Sequence, residues 1–64
     1  MVKVYRDRNG HYYIATFFEG PWVRFARIEG GRFMQEIVMP LKEFMEMLES
    51  EGWSYDDEMT KGRV

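Results

Sequence analysis

The stretch Ile37–Leu48, IVMPLKEFMEML, constrains the chain most tightly, because it passes from strand to helix with no linker between them. Ile37, Val38 and Met39 read as the end of a strand. Pro40 cannot donate to a sheet ladder, and its fixed φ suits the first turn of a helix. From there Leu41, Phe44, Met45 and Leu48 recur at helical spacing and form an apolar stripe roughly 100° wide. Glu43 sits in the first turn, where the helix dipole favours an anion. Gly52 is the predicted stop. Such a stripe must be buried against something, and everything before it reads as antiparallel sheet.

The preceding residues supply strands and turns in alternation. Asn9-Gly10 between two β-rich runs is a strong hairpin signal, since both central residues of a type I′ turn need φ > 0. A two-residue loop there would pair Arg8 with His11, Arg6 with Tyr13, Val4 with Ala15 and Val2 with Phe17. His11–Phe18 is rich in strand formers, Gly20-Pro21 breaks it, Trp22–Ile28 is a third strand, and Gly30-Gly31 turns into a fourth, Phe33–Met39. The expected fold is α+β: a four-stranded antiparallel β-meander followed by one C-terminal α-helix packed on one sheet face. Residues 1–55 would form this single domain, with Trp53 capping the core, and 56–64 would be a polar, acidic, mobile tail.

If every turn is a tight two-residue one, the faces can be written out from the alternation of side chains. One holds Val2, Val4, Tyr13, Ala15, Phe17, Trp22, Ala26, Ile28, Phe33, Ile37 and Met39, a core for the helix to cover, with Gln35 and Arg24 as its polar exceptions. The other holds Lys3, Tyr5, Tyr12, Ile14, Thr16, Phe18, Val23, Phe25, Arg27, Arg32, Met34 and Val38. One helix covers one face, so the second would be an exposed apolar and aromatic surface, of the kind that marks interaction sites. The vulnerable point is Glu19–Trp22, where a longer loop would exchange the faces of strands three and four.

Composition narrows the function classes. At 64 residues the chain is one small domain with a limited core, and a size at which oligomerisation often adds burial. A homodimer is therefore expected. There is no cysteine, which excludes disulfides and thiolate ligands. His11 is the single histidine, beside a turn, and Asp56-Asp57-Glu58 lacks the spacing of a calcium loop, so no metal or cofactor is expected. Gly30-Gly31 is not followed by a helix and is no phosphate loop. No catalytic constellation emerges, and an enzyme is not expected. No apolar run has the length of a membrane span, and charges at Lys3, Arg6, Asp7 and Arg8 break any signal-peptide pattern, so the expectation is a cytoplasmic protein. Residues 1–40 carry six basic against four acidic side chains, and residues 41–64 carry three against seven. The sheet half is mildly basic and the helix half acidic.

The run Val23–Glu49, VRFARIEGGRFMQEIVMPLKEFMEMLE, resembles a purine-rich-element-binding (PUR) repeat. The residues that carry the likeness are Arg24-Phe25, Arg27-Ile28, Gly30-Gly31, Ile37-Val38-Met39-Pro40 and Glu43-Phe44. A similar ββββα plan occurs in the positive-cofactor-four type of coactivator and in Whirly proteins. The resemblance implies single-stranded nucleic-acid binding on the open sheet face, usually by a dimer. Phe25 would be a stacking residue, and Arg24 and Arg27 would contact phosphate or base. Apart from that likeness, single-strand binders combine aromatic platforms with a basic groove. Tyr5, Tyr12, Phe18 and Phe25 interleaved with Lys3, Arg27 and Arg32 fit that plan. The same rings could instead pack against a second subunit or another protein chain.

Overall fold

The computed structural model describes residues 1–17 and 20–62. It is α+β, an antiparallel sheet with a helix packed against one face. The elements are β1 (Val2–Arg6), β2 (Tyr12–Phe17), β3 (Trp22–Glu29), β4 (Arg32–Phe33), β5 (Ile37–Pro40), α1 (Leu41–Glu51), β6 (Ser54–Tyr55) and α2 (Asp57–Lys61). The strand order is β4-β3-β2-β1-β6, with β5 also paired to β3. Among the described residues there are six strands where four were expected, and α1 is followed by a further strand and a short helix.

The first hairpin departs from its expected register by one residue. Asp7 N–H donates to the His11 carbonyl at 3.0 Å, and Gly10 N–H to the Asp7 carbonyl at 3.1 Å. Gly10 has φ 83°, whereas among the described residues none other than glycine has positive φ. The loop is therefore three residues, Arg8–Gly10, a type I turn closed by a left-handed glycine, rather than a type I′ Asn-Gly turn. Asp7 explains the choice, because its Oδ1 accepts from the N–H groups of both Asn9 and His11 at 2.9 Å and an Asx-type turn results. Val4 consequently pairs with Ile14, Tyr5 with Tyr13 and Arg6 with Tyr12.

A second shift arises between β2 and β3. Phe17 pairs with Val23, Ala15 with Phe25 and Tyr13 with Arg27. Five residues separate Phe17 from Val23, too many for a two-residue turn at Gly20-Pro21, and the faces of β3 exchange. Gly30 and Gly31, at φ 57° and 77°, do form the expected two-residue turn, with Glu29 opposite Arg32. Beyond it, Ile28 pairs with Phe33 but Phe25 pairs with Ile37. One extra residue is accommodated within Met34–Glu36, a bulge that splits the expected fourth strand in two.

These shifts decide what α1 covers. The helix face of the sheet carries Lys3, Tyr5, Tyr13, Ala15, Phe17, Val23, Phe25, Arg27, Ile37 and Met39. Tyr5, Ala15, Val23 and Phe25 are buried there with Phe44. Phe44 is fully buried, its ring 5.5–5.8 Å from those of Tyr5, Phe17 and Phe25 and 6.2 Å from Trp53. Met47 and Leu48 pack on the same cluster, whereas Leu41 and Met45 face solvent. The buried stripe is thus rotated from the one expected. Pro40 is the N-cap of α1, and Leu41 N–H donates to the Pro21 carbonyl at 2.6 Å. At the other end Gly52 has φ 69°, its N–H bonds the Glu49 carbonyl, and Trp53 N–H bonds the Leu48 carbonyl at 2.9 Å, the paired bonds of a Schellman cap. That cap turns Trp53 back over the core, where it stacks on Tyr13 at 3.7 Å.

The chain was expected to leave the fold after Tyr55, but it continues in docked structure through Gly62. Tyr55 pairs with Tyr5 in β6, and Asp56 N–H donates to the Val4 carbonyl at 2.8 Å. The Asp56 side chain caps α2 by accepting from Met59 N–H. Thr60 is buried. Its hydroxyl accepts from Val4 N–H at 2.8 Å and donates to the Asp56 carbonyl at 2.7 Å. α2 thereby satisfies the edge of β1, where Val4 is fully buried.

Asp7 makes the first hairpin pH-sensitive. Burial disfavours its charged form, but the N–H groups of His11 and Asn9, the Tyr13 hydroxyl at 2.8 Å and the His11 ring outweigh that and lower its pKa. Burial, followed by the bond to Asp7, raises that of Tyr13. A carboxylate with a depressed folded-state pKa contributes stability above its unfolded value, near pH 4, and loses it as pH falls through the folded value. Thermal melts should therefore show falling stability below about pH 4, and Asp7→Asn should lower the neutral-pH melting temperature while flattening that acid limb.

Candidate nucleic-acid interface

The face away from α1 can be laid out in rows across the strands. Arg6, Tyr12, Ile28 and Phe33 form one row, Val4, Ile14 and Ala26 the next, and Val2, Thr16, Arg24 and Val38 a third. Trp22 and Pro40 form a fourth. Directly paired residues share a face, so each row follows from the registers. Phe33 is 58% exposed, Val38 55% and Trp22 49%, while Tyr12, Ile14 and Ile28 are half-buried. Tyr12 and Phe33 are two strands apart, about 10 Å, and Trp22 lies about 20 Å along β3 from Ile28.

The centre of this face is recessed. Ala26 is small and buried, and the bulge at Met34–Glu36 opens the sheet beside it. A depression of about 340 Å³ results, lined by Ile14, Thr16, Arg24, Ala26, Phe33 and Glu36. The guanidinium of Arg24 lies 3.7 Å from the Glu36 carboxylate at its rim. Both side chains are exposed, so the pair is screened and weak.

The eight residues expected at the site divide unevenly. Tyr12 and Arg24 lie on the open face. Phe18 lies outside the described residues. Phe25 and Tyr5, expected to be exposed, are buried under α1 at 5% and 7% exposure, because the three-residue first turn and the longer second connection each move a neighbour of β2 by one residue. Lys3 and Arg27 go with them to the helix face. Lys3 there lies 5.6 Å from the ring centres of both Phe17 and Tyr55. Arg27 is bonded to Glu29, which raises its pKa. Arg32 is opposite Glu29 at the far end of the sheet. Arg6, Trp22 and Phe33 lie on the open face instead. The sequence signal for Arg6 was Asp7, whose turn chemistry favours a three-residue loop over a two-residue one, whereas Trp22 and Phe33 follow from the length of the connection between Phe17 and Val23.

No family model, curated protein or solved structure matches this chain. The site must therefore be judged on its own chemistry. Among the described residues no cluster of three or more histidine or acidic side chains could hold a metal ion, and no helix is long and apolar enough to cross a membrane. What the open face offers is flat rings, aliphatic floor and two guanidinium groups.

Proposed function

We propose that the protein is a non-catalytic binding module, acting in the cytoplasm, that takes single-stranded nucleic acid across its open sheet face. The observation that carries this reading is that Tyr12, Trp22 and Phe33 share the sheet face away from α1 with Arg6 and Arg24. Rings supply stacking platforms for bases of any identity, and guanidinium groups pair with phosphate. The acidic side chains of α1 lie on the other side of the molecule, away from the strand's path. Anisotropy titrations with fluorescent single-stranded DNA and RNA at two salt concentrations test it. Affinity should fall with salt. Phe33→Ala should cost about 1–3 kcal/mol of binding with little salt dependence, and Arg24→Ala should reduce the salt slope by about one. Both side chains are exposed, so melting curves should stay close to the parent's. Absence of binding at low salt would refute the proposal.

A second reading has its own support. Ile14, Ile28 and Val38 make the floor of the face aliphatic, which suits a protein surface better than a phosphate backbone. On that reading the face pairs with a second copy of the chain, giving a homodimer. Light scattering at high micromolar concentration separates the two, since this reading requires a doubled mass that Val38→Arg abolishes.

A further inference from the structure

The outer face of α1 presents a second apolar surface, on the helix side of the sheet. The core side of the helix is carried by Phe44, Met47 and Leu48. Leu41 and Met45, one turn apart, are left 37% and 54% exposed. With Pro21 they form the floor of an open groove of about 610 Å³, flanked by Lys42, Glu46 and Glu49. Glu43 and Glu51 are also exposed on this helix. The exposed charges of α1 are thus four carboxylates against one ammonium.

We infer that this groove docks a basic amphipathic helix from another protein. Charge complementarity selects that occupant. A partner with lysine or arginine beside its apolar stripe gains attraction to Glu46 and Glu49 as it covers Leu41 and Met45. A second copy of this chain would bring four more carboxylates against the first four, and an acidic or phosphorylated segment would be repelled. Helix-in-groove docking of this kind reads apolar anchors at helical spacing. The unbranched thioether of Met45 adapts to anchors of different shape. The surface is independent of the sheet-face reading, so either can fail without the other.

The test uses the full chain and a synthetic leucine–lysine peptide patterned as an amphipathic helix, with a leucine–glutamate peptide of the same pattern as control. Calorimetric titration should show saturable binding of the basic peptide and none of the acidic one. Met45→Ser should weaken that binding about tenfold without lowering the melting temperature, because the side chain is outside the core. Glu46→Lys with Glu49→Lys should weaken it by a similar factor and admit the acidic peptide. Basic-peptide binding unaffected by Met45→Ser would show general attraction to an acidic surface and would overturn the inference. So would equal binding of both peptides, or a doubled mass abolished by Met45→Ser, which would assign the groove to a second copy.

Discussion

Phe44→Ala is expected to destabilise the protein by about 3–5 kcal/mol, the range for removing a fully buried phenyl ring. Phe44 is the contact point of the whole core. Tyr5 of β1, Phe17 of β2, Phe25 of β3 and Trp53 after α1 all meet it, so its loss opens a cavity bounded by four large rings that cannot easily collapse inward. Domains of this size have roughly 3–10 kcal/mol to lose. The variant should be largely unfolded at physiological temperature, or melt far below the parent in a calorimetric scan. Met45→Ala, one position along the same helix but exposed, should be nearly neutral. Equal melting of Phe44→Ala and the parent would mean that α1 does not seat on the sheet through this ring.

Truncation after Tyr55 is the second large effect. A polar terminal segment reads as dispensable in the sequence, yet here it completes the β1 edge. Removing it exposes Val4, worth about 1.5–3 kcal/mol for a buried valine, and deletes the bonds of Val4 to Asp56 and Thr60, each about 1 kcal/mol. A loss of about 3–5 kcal/mol overall should lower the melting temperature by about 10 °C or more in a domain this small. Thr60→Val isolates the hydroxyl. It keeps the side-chain shape but leaves Val4 N–H buried without its acceptor, at about 1–3 kcal/mol. An unchanged melting temperature in both variants would show that α2 contributes nothing to the fold.

Elements whose signals are local were legible from the residues alone. Gly30-Gly31 gave its turn, Pro40 and Gly52 bounded α1, Phe44 was marked for the core, and Trp53 was expected over it. The inward set of β2, Tyr13, Ala15 and Phe17, was also correct. What failed was register. The side-chain period of a strand is two, so one additional loop residue turns a whole strand over. Asp7 drew Arg8 into the first loop, and the connection after Phe17 was longer than Gly20-Pro21 implied. β1 and β3 therefore both turned over relative to β2, taking Phe25 and Tyr5 into the core and bringing Trp22, Phe33 and Arg6 out. The bulge at Met34–Glu36 then returned Ile37 and Met39 to the helix side.

The candidate site inherited that error directly. Arginines and aromatic rings alternate along β3, WVRFARIE, so either face of this strand reads as ring plus cation. Only the pairing distinguishes Trp22 and Arg24 from Phe25 and Arg27. The α2 segment was missed for a different reason. Its five helical residues carry no apolar stripe, and its docking rests on one hydroxyl and one capping carboxylate.

The two tryptophans give the most direct test of binding at the open face. Trp22 is half-exposed there, whereas Trp53 is stacked on Tyr13 beneath the helix side. Titrating single-stranded DNA or RNA at low salt into Trp53→Phe, which leaves Trp22 as the sole reporter, should quench its fluorescence saturably and reversibly on adding salt. The Trp22→Phe protein, reporting from Trp53, should show little change. A silent Trp22, or quenching confined to Trp53, would contradict nucleic-acid binding on the open face.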